Sequence, residues 1–214
     1  MVFADRIEAG RKLARALASY RGPDAVVYAL PRGGVVVGAE VARVLECPLD
    51  LVSVRKIGHP FSPEYAIAAV TEEGNTVTNP VEVESVDQEW FRQETLAEQH
   101  EARRRRSLYL HGRSPIPATD KVAIVVDDGL ATGLTMFAAV GELRKARPRK
   151  IVVAVPVAPP DTVRKLEKSA DEVVALYTPE MFGAIGSFYL RFEQVSDAEV
   201  IRLMNPAVAV EQAR

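Results

Sequence analysis

The segment "VAIVVDDGLATGLT" (residues 122–135) decides the fold class. Apolar residues typical of a buried strand run directly into two adjacent carboxylates, Asp127 and Asp128, and then into a turn of small and hydroxyl residues that opens a helix. Side-by-side carboxylates are costly to bury, so we expect the pair to face solvent, a metal or the hydroxyl groups of a ligand. The segment therefore predicts a buried strand whose carboxyl end carries a site.

Other apolar runs alternate with helical patterns in the same way. Strands are expected at 25–30, 49–54, 122–126, 150–158 and 171–177, and helices at 35–45, 135–146 and 160–170. Continuous Val, Ile and Ala strands separated by helices are typical of a parallel sheet that is covered on both faces. The sequence thus predicts an α/β protein with a doubly wound parallel sheet of about five strands.

The middle of the chain, 57–120, breaks this alternation. Residues 64–79 predict two strands joined by a Gly74-Asn75 turn, and residues 86–110 predict one long polar helix. An arginine run on that helix, Arg103 to Arg106, indicates either a nucleic-acid patch or a solvated face balanced by nearby glutamates. We favour the balanced face and expect no nucleic-acid partner.

Bulk composition sets broad limits. A chain of 214 residues with 48% hydrophobic and 26% charged residues suits one domain with a substantial elaboration. A net charge of -2 gives no general attraction to nucleic acid or anionic membranes, and no apolar run has the length of a membrane helix. Cys47 is the single cysteine, and the first 22 residues lack the apolar core of a signal peptide. We expect a cytoplasmic protein without a membrane partner.

A second strand end also has unusual chemistry. Residues 28–38, "YALPRGGVVVG", place Arg32 and a Gly33-Gly34 pair between a strand and a helix. An always-charged guanidinium beside two flexible backbone amides is typical of an anion site.

The turn after the acidic pair predicts another anion site, because Thr132 and Thr135 lie where backbone amides and a helix dipole favour phosphate. Helix capping is the alternative for one aspartate, but it does not explain two beside such a turn. Parallel strands place their carboxyl ends at one edge of the sheet. Two anion sites flanking an acidic pair there predict a sugar that carries phosphate at both ends.

These motifs resemble the type I phosphoribosyltransferase family. Residues 122–135 resemble its signature for 5-phosphoribosyl-1-pyrophosphate, "LPRGG" (30–34) its pyrophosphate loop, and "VRKIGHP" (54–60) the start of its flexible lid. The similarity extends over nearly the whole chain to a bacterial branch of the family, through "PEYAIAAV", "AVPVAPP", "ADEVVAL" and "FYLRFEQVSDAEV". Leu134-Thr135 stands where many members have Gly-Thr, so we expect Leu134 to keep an ordinary backbone conformation.

The resemblance implies one domain over 1–214, with a lid, hairpin and helical insertion at about 57–120 and a small hood at about 178–192. It implies Mg²⁺-dependent transfer of a phosphoribosyl group to a planar nitrogen acceptor, with a nucleobase favoured, and release of pyrophosphate. It is compatible with a homodimer and with a place in nucleotide metabolism. The alternative is a regulatory protein that senses phosphoribosyl pyrophosphate without turnover. We also expect residues 57–63 to be mobile without ligand, since Gly58, Pro60 and Pro63 interrupt them.

The resemblance also assigns roles to individual residues. The implied 5′-phosphate-binding residues are Ala131, Thr132, Gly133, Leu134 and Thr135, and the implied pyrophosphate-binding residues are Arg32, Gly33 and Gly34. The implied catalytic residues are Asp127, Asp128, Arg32 and Lys56, although a solvated strand edge explains Lys56 equally well. Mg²⁺ is the implied cofactor, bound by Asp127 and Asp128 through water or ribose hydroxyls. Phe182 and Tyr189 are the expected acceptor-stacking residues, with packing as the competing interpretation.

Overall fold

The computed structural model describes residues 2–205, and its main sheet has five parallel strands. From one edge to the other these are β2 (Leu49–Leu51), β1 (Ala25–Ala29), β6 (Val122–Val126), β7 (Lys150–Val157) and β8 (Glu172–Tyr177). This arrangement confirms the predicted α/β fold with about five parallel strands.

Helices cover both faces of the main sheet. One face packs against α1 (Arg6–Ala16) and α2 (Gly33–Leu45), and the other against α5 (Leu134–Lys145) and α6 (Pro160–Leu166). Successive strand residues point to opposite faces, so Ile124 packs with the α1 and α2 side while Val125 packs with the α5 side. Burial on both faces is the reason these strands are apolar throughout.

A second sheet of three antiparallel strands lies beside the main one. Its strands, in order, are β3 (Val54–His59), β4 (Ser62–Thr71) and β5 (Thr76–Thr78). The β4–β5 pair is the hairpin expected around Gly74-Asn75, and Gly74 adopts a φ of +88° that favours glycine. The prediction of one strand over 49–54 is wrong. The Ser53 hydroxyl donates to the Ala102 carbonyl at 2.8 Å, and the chain leaves the main sheet at that point.

The arginine run lies on the longer of two helices that follow the second sheet, α3 (Pro80–Glu84) and α4 (Gln88–Leu110). The predicted face balanced by nearby glutamates agrees with Arg104 and Arg105, which both pair with Glu101 at 2.7 Å. It is wrong for Arg106, whose side chain is only 14% exposed and whose guanidinium lies 3.3 Å from a carboxylate oxygen of Asp50. Much of the run's charge is therefore engaged by contacts within the chain.

The end of the described chain packs against its beginning. Residues 178–192, the predicted hood, contain a short 3-10 helix at Ile185–Phe188, and α7 (Asp197–Met204) follows. The Phe3 amide donates to the Phe188 carbonyl, and the Leu190 amide donates to the Phe3 carbonyl, each at 2.8 Å. These bonds hold the hood segment to the start of α1. None of the helices within residues 2–205 has the length and apolarity needed to span a membrane.

Candidate functional site

The candidate site lies where the two unusual strand ends meet. β1 and β6 are neighbours, with Ala29 opposite Val126, so the loops that follow them leave the sheet side by side. β2 lies on one side of β1 and the later strands on the other, which makes this the point where the strand order reverses. Ligands of open α/β sheets bind at such a point. Here the loops border a cleft of about 290 Å³.

The two loops approach so closely that glycine is required. A Cβ atom at Gly33 would lie 1.9 Å from Oδ2 of Asp128, and one at Gly34 would lie 2.9 Å from Cα of Asp127. The Pro31–Arg32 peptide at the start of the first loop is cis. The predicted pyrophosphate loop therefore lies directly against the predicted acidic pair.

The acidic pair is mostly buried at the base of the cleft. The Asp128 amide donates to Oδ1 of Asp127 at 2.8 Å, and Asp128 is only 8% exposed. Burial and the adjacent charge of Asp128 raise the pKa of Asp127 well above its ordinary value. Burial also raises the pKa of Asp128, against the opposing effect of the Arg6 guanidinium. The pair is thus held in an environment that disfavours two full charges.

Arg6, the first residue of α1, is a site residue that the sequence interpretation missed. Its Nε donates to Oδ2 of Asp128 at 2.7 Å, and both side chains are nearly buried. A basic residue in the first turn opposes the helix dipole, which is a weak signal that Arg6 has a partner outside its helix. Nothing local indicates that the partner is Asp128.

The predicted 5′-phosphate loop has the backbone that its sequence requires. Gly133 adopts the positive φ, +79°, and Leu134 is the first residue of α5 with an ordinary conformation, as expected. Ala131, Thr132, Gly133 and Thr135 line the cleft, whereas Leu134 does not. The buried Thr162 hydroxyl donates to the Ala131 carbonyl at 2.7 Å and supports the loop from α6.

Basic side chains also line the cleft. Arg32 and Lys56 are both there, as is Arg55, which the sequence interpretation did not select. Lys56 lies within β3 of the second sheet, and not just after a main-sheet strand as the predicted strand over 49–54 implied. Within the described residues Lys56 has no ion-pair partner, while Arg32 lies 3.5 Å from Asp197 and Arg55 lies 2.6 Å from Glu98. Lys56 is therefore the least engaged of the three cations.

The expected acceptor residues lie under or beside the site. Tyr189 is only 6% exposed, its ring contacts Phe3 and Phe192, and its hydroxyl donates to the Asp128 carbonyl at 2.6 Å. This packing corrects the prediction that Tyr189 stacks on a ligand, because the ring supports the acidic loop instead. Phe182 packs on Phe188 with ring centroids 5.2 Å apart and does not line the cleft.

Ile185 is the hood residue that does line the cleft. A Cβ at Gly129 would lie 2.6 Å from Cγ2 of Ile185, so the hood rests directly on the acidic loop. A single isoleucine at the start of a short 3-10 helix has no periodic pattern that identifies it from sequence.

The donor set limits how a metal can bind. Within the part of the chain that the structure describes, no group of three or more His, Cys, Asp or Glu side chains is placed to hold an ion. The acidic pair supplies two carboxylates, and one of these is paired with Arg6. Mg²⁺ prefers six oxygen ligands, so a metal at this site would take most of them from a bound ligand and water.

Comparison with known proteins gives a consistent picture. The family model described as "Phosphoribosyl transferase domain" matches residues 4–193. A Mycobacterium tuberculosis protein named "Putative phosphoribosyl transferase" is 43% identical over 208 residues, which are 96% of this chain and 47% of that protein. The chain thus spans about half the length of the curated relatives it matches. The crystal structure of TT1426 from Thermus thermophilus is 43% identical, with a TM-score of 0.80 over 95% of this chain and 98% of that one.

Proposed function

This chain belongs to the phosphoribosyl transferase family, and we propose that it transfers the phosphoribosyl group of 5-phosphoribosyl-1-pyrophosphate to a planar nitrogen acceptor, a nucleobase, with release of pyrophosphate. One observation carries the proposal: the glycine loop after β1 and the threonine loop after β6 enclose the acidic pair in a single cleft. A ligand with one sugar and two phosphate groups matches that order of donors and acceptors.

Each part of the cleft has a role in this proposal. Residues 131–135 hold the 5′-phosphate through backbone amides and threonine hydroxyls, at the N-terminus of α5. Asp127 and Asp128 accept hydrogen bonds from the ribose hydroxyls. Arg32, with the amides of Gly33 and Gly34, holds the pyrophosphate. Fixing both ends of the substrate sets the orientation of C1′ before the reaction begins.

The chemistry requires charge stabilisation more than proton transfer. As the bond from C1′ to the pyrophosphate oxygen breaks and the bond to the acceptor nitrogen forms, the ribose gains oxocarbenium character and the leaving group gains negative charge. Arg32, Lys56 and the acidic pair all line the cleft. In the proposal the two cations stabilise the leaving group and the acidic pair binds the ribose. Mg²⁺, when bound, adds charge neutralisation at the pyrophosphate. Asp127 and Asp128 would hold it through water or the ribose hydroxyls.

The β3–β4 hairpin is the proposed lid. Its strands pair through Ile57, Gly58 and His59, and the pairing register shifts on both sides of Gly58. Phe61 at the tip is 92% exposed. In the proposal the hairpin closes over the bound substrate and excludes water, which would otherwise hydrolyse the activated sugar. Amide exchange in residues 57–63 should slow on addition of Mg²⁺ and phosphoribosyl pyrophosphate, and unchanged exchange would contradict the lid.

The proposed acceptor site lies beside Ile185 and the hood. Ile185 supplies an apolar surface for a flat ring, and backbone amides of the hood supply much of the hydrogen bonding. A thermal-shift screen of nucleobases, with Mg²⁺ and phosphoribosyl pyrophosphate present, tests the acceptor class. If amines without an aromatic ring are the compounds that stabilise the protein, the nucleobase assignment is wrong while the phosphoribosyl assignment stands.

Calorimetry and turnover test the function as a whole. The protein should bind Mg²⁺-phosphoribosyl pyrophosphate and release pyrophosphate when a suitable base is added. Binding without release, across a panel of bases and amines, would favour the alternative of a sensing protein. Absence of binding by the wild-type protein would contradict both the transferase function and the sensing function.

A further inference from the structure

Arg6 is held in place by more than its ion pair. Its guanidinium lies 3.8 Å from the centre of the Phe192 ring, and Nη1 donates to the Glu193 carbonyl at 2.8 Å. Phe192 in turn packs on Tyr189, whose hydroxyl binds the Asp128 carbonyl. The hood end of the chain therefore fixes the cation independently of Asp128. An arginine that is preorganised in this way loses little freedom when it binds a carboxylate.

The ion pair fixes the Asp128 carboxylate. Its Oδ2 accepts from the Arg6 Nε at 2.7 Å. Gly33 makes this geometry possible, because a Cβ there would meet both Oδ2 of Asp128 and Nε of Arg6, at 1.9 and 2.9 Å. The cation thus lies at the junction of the acidic loop, the glycine loop and α1.

We propose that Arg6 is a positioning residue of the acidic pair, which fixes the orientation of the Asp128 carboxylate for the ligand and supplies a countercharge that the pair would otherwise take from a divalent cation. The positioning role rests on the proposed function, since it assumes a ribose at Asp127 and Asp128. The countercharge role does not, because it concerns the free protein. It predicts that the acidic pair has weak affinity for a metal alone.

Loss of the Arg6 charge should change binding in a predictable direction. Without Arg6, the net charge of the acidic pair and its surroundings is more negative by one, whichever carboxylates are ionised. Added negative charge in the cleft repels an anionic substrate and attracts a divalent cation. Loss of the Arg6 charge should therefore weaken substrate binding most at low Mg²⁺, and high Mg²⁺ should restore part of it.

The test compares three variants of the full chain. Arg6→Gln removes the charge and keeps an amide donor, Arg6→Lys keeps the charge, and Arg11→Gln is the matched control on the same helix, where Arg11 is 57% exposed and pairs with Glu40. Binding of Mn²⁺ to the free protein is followed by electron paramagnetic resonance. Binding of phosphoribosyl pyrophosphate is measured by calorimetry at low and high Mg²⁺.

We expect Arg6→Gln to bind Mn²⁺ about tenfold more tightly than the wild type, and addition of Asp128→Asn to remove that gain. The same variant should lose on the order of tenfold in substrate affinity at low Mg²⁺ and less at high Mg²⁺. Arg6→Lys and Arg11→Gln should keep the wild-type metal dependence.

Equal Mn²⁺ affinity in the wild type and Arg6→Gln would overturn the proposal, as would the same substrate loss at every Mg²⁺ concentration. If Arg6→Gln does not fold, Arg6→Lys still decides, because a raised Mg²⁺ requirement with the charge retained contradicts a countercharge. A wild type that binds no phosphoribosyl pyrophosphate would instead count against the proposed function, and the Mn²⁺ comparison would remain valid.

Discussion

Two clusters among the described residues place carboxylates beside a nearly buried arginine. At the end of β6, Asp128 pairs with Arg6, and Asp127 precedes it in the chain. Between the two sheets, Asp50 and Glu72 lie beside Arg106, at 3.3 and 3.2 Å, and Arg113 lies 3.9 Å from Asp50. The two clusters differ in the number of hydrogen bonds that the chain itself supplies.

In the Asp50 cluster the chain provides the partners. The two carboxylate oxygens of Asp50 accept from the Leu51 and Ile116 amides at 2.8 and 2.6 Å, and both accept from Arg106. Glu72 is the exception, since its Oε2 is buried without a partner among the described residues, and burial raises its pKa to about 7. A carboxylate such as Asp50, whose oxygens already accept hydrogen bonds from the chain, links secondary-structure elements and leaves few acceptors for a ligand.

In the Asp127 cluster the described residues supply fewer hydrogen bonds to the carboxylates. Oδ1 of Asp127 accepts from the Asp128 amide and Oδ2 of Asp128 accepts from Arg6, and both residues line the cleft. Carboxylate oxygens beside a cleft are what a hydroxyl-bearing ligand requires. The supply of hydrogen-bond partners, more than the burial of charge, distinguishes the two clusters.

Removal of Arg106 should give the largest effect. Arg106→Met leaves Glu72 without its cation and Asp50 with the more distant Arg113 at 3.9 Å, and it should lower the free energy of unfolding by about 3–5 kcal/mol. Arg104→Met is the matched control from the same run, because Arg104 is 59% exposed and its loss should cost less than about 1 kcal/mol. Urea denaturation measures both, and equal costs would refute the structural role of the buried cluster.

Neutralising the other cluster should affect ligand binding instead of folding. Asp127→Asn with Asp128→Asn should weaken binding of Mg²⁺-phosphoribosyl pyrophosphate by about 100-fold or more, because amides replace charged acceptors for the ribose hydroxyls. The exposed Asp24→Asn is the control and should bind like the wild type. Calorimetry gives the affinities, and an unchanged dissociation constant in the double variant would remove the ribose assignment.

Filling the space between the loops should have a smaller effect. Gly33→Ala places a methyl group 1.9 Å from Oδ2 of Asp128, so the loops must separate, and substrate affinity should fall about tenfold. Gly183→Ala is matched in chemistry but has nothing within 4 Å of its Cβ. Wild-type binding by Gly33→Ala would mean that the loop contact does not shape the site.

The smallest effect concerns Glu72 and its pH dependence. The pKa is about 7 in the folded protein and 4.5 for the ordinary group, so the native state holds the extra proton between these values. The contribution of Glu72 to the free energy of unfolding therefore falls as pH rises through this window and is flat above it. Glu72→Gln should lack this slope and be more stable than the wild type at pH 8, on the order of 1 kcal/mol. Denaturation at pH 5 to 8 measures the difference, and parallel curves would contradict the raised pKa.

Local patterns predicted most of the fold. The doubly wound sheet followed from apolar runs, because burial on both faces leaves no polar positions in a strand. The errors occurred where a tertiary contact redirects the chain, as at Ser53, whose hydroxyl binds the Ala102 carbonyl and ends the strand early. The prediction of a solvated face for the arginine run was wrong at Arg106 for the same reason, since its partners lie 56 and 34 residues away along the chain.

The sequence by itself determined the chemistry of the two strand ends, because the groups proposed to bind anions and hydroxyls there are neighbours along the chain. Tertiary structure alone decided what completes the site. Arg6 reaches Asp128 across 122 residues, Tyr189 supports the same residue across 61, and Ile185 covers Gly129. Such contacts leave no periodic or local signal, since they depend on how the two ends of the chain come together around the sheet and not on which residues are adjacent.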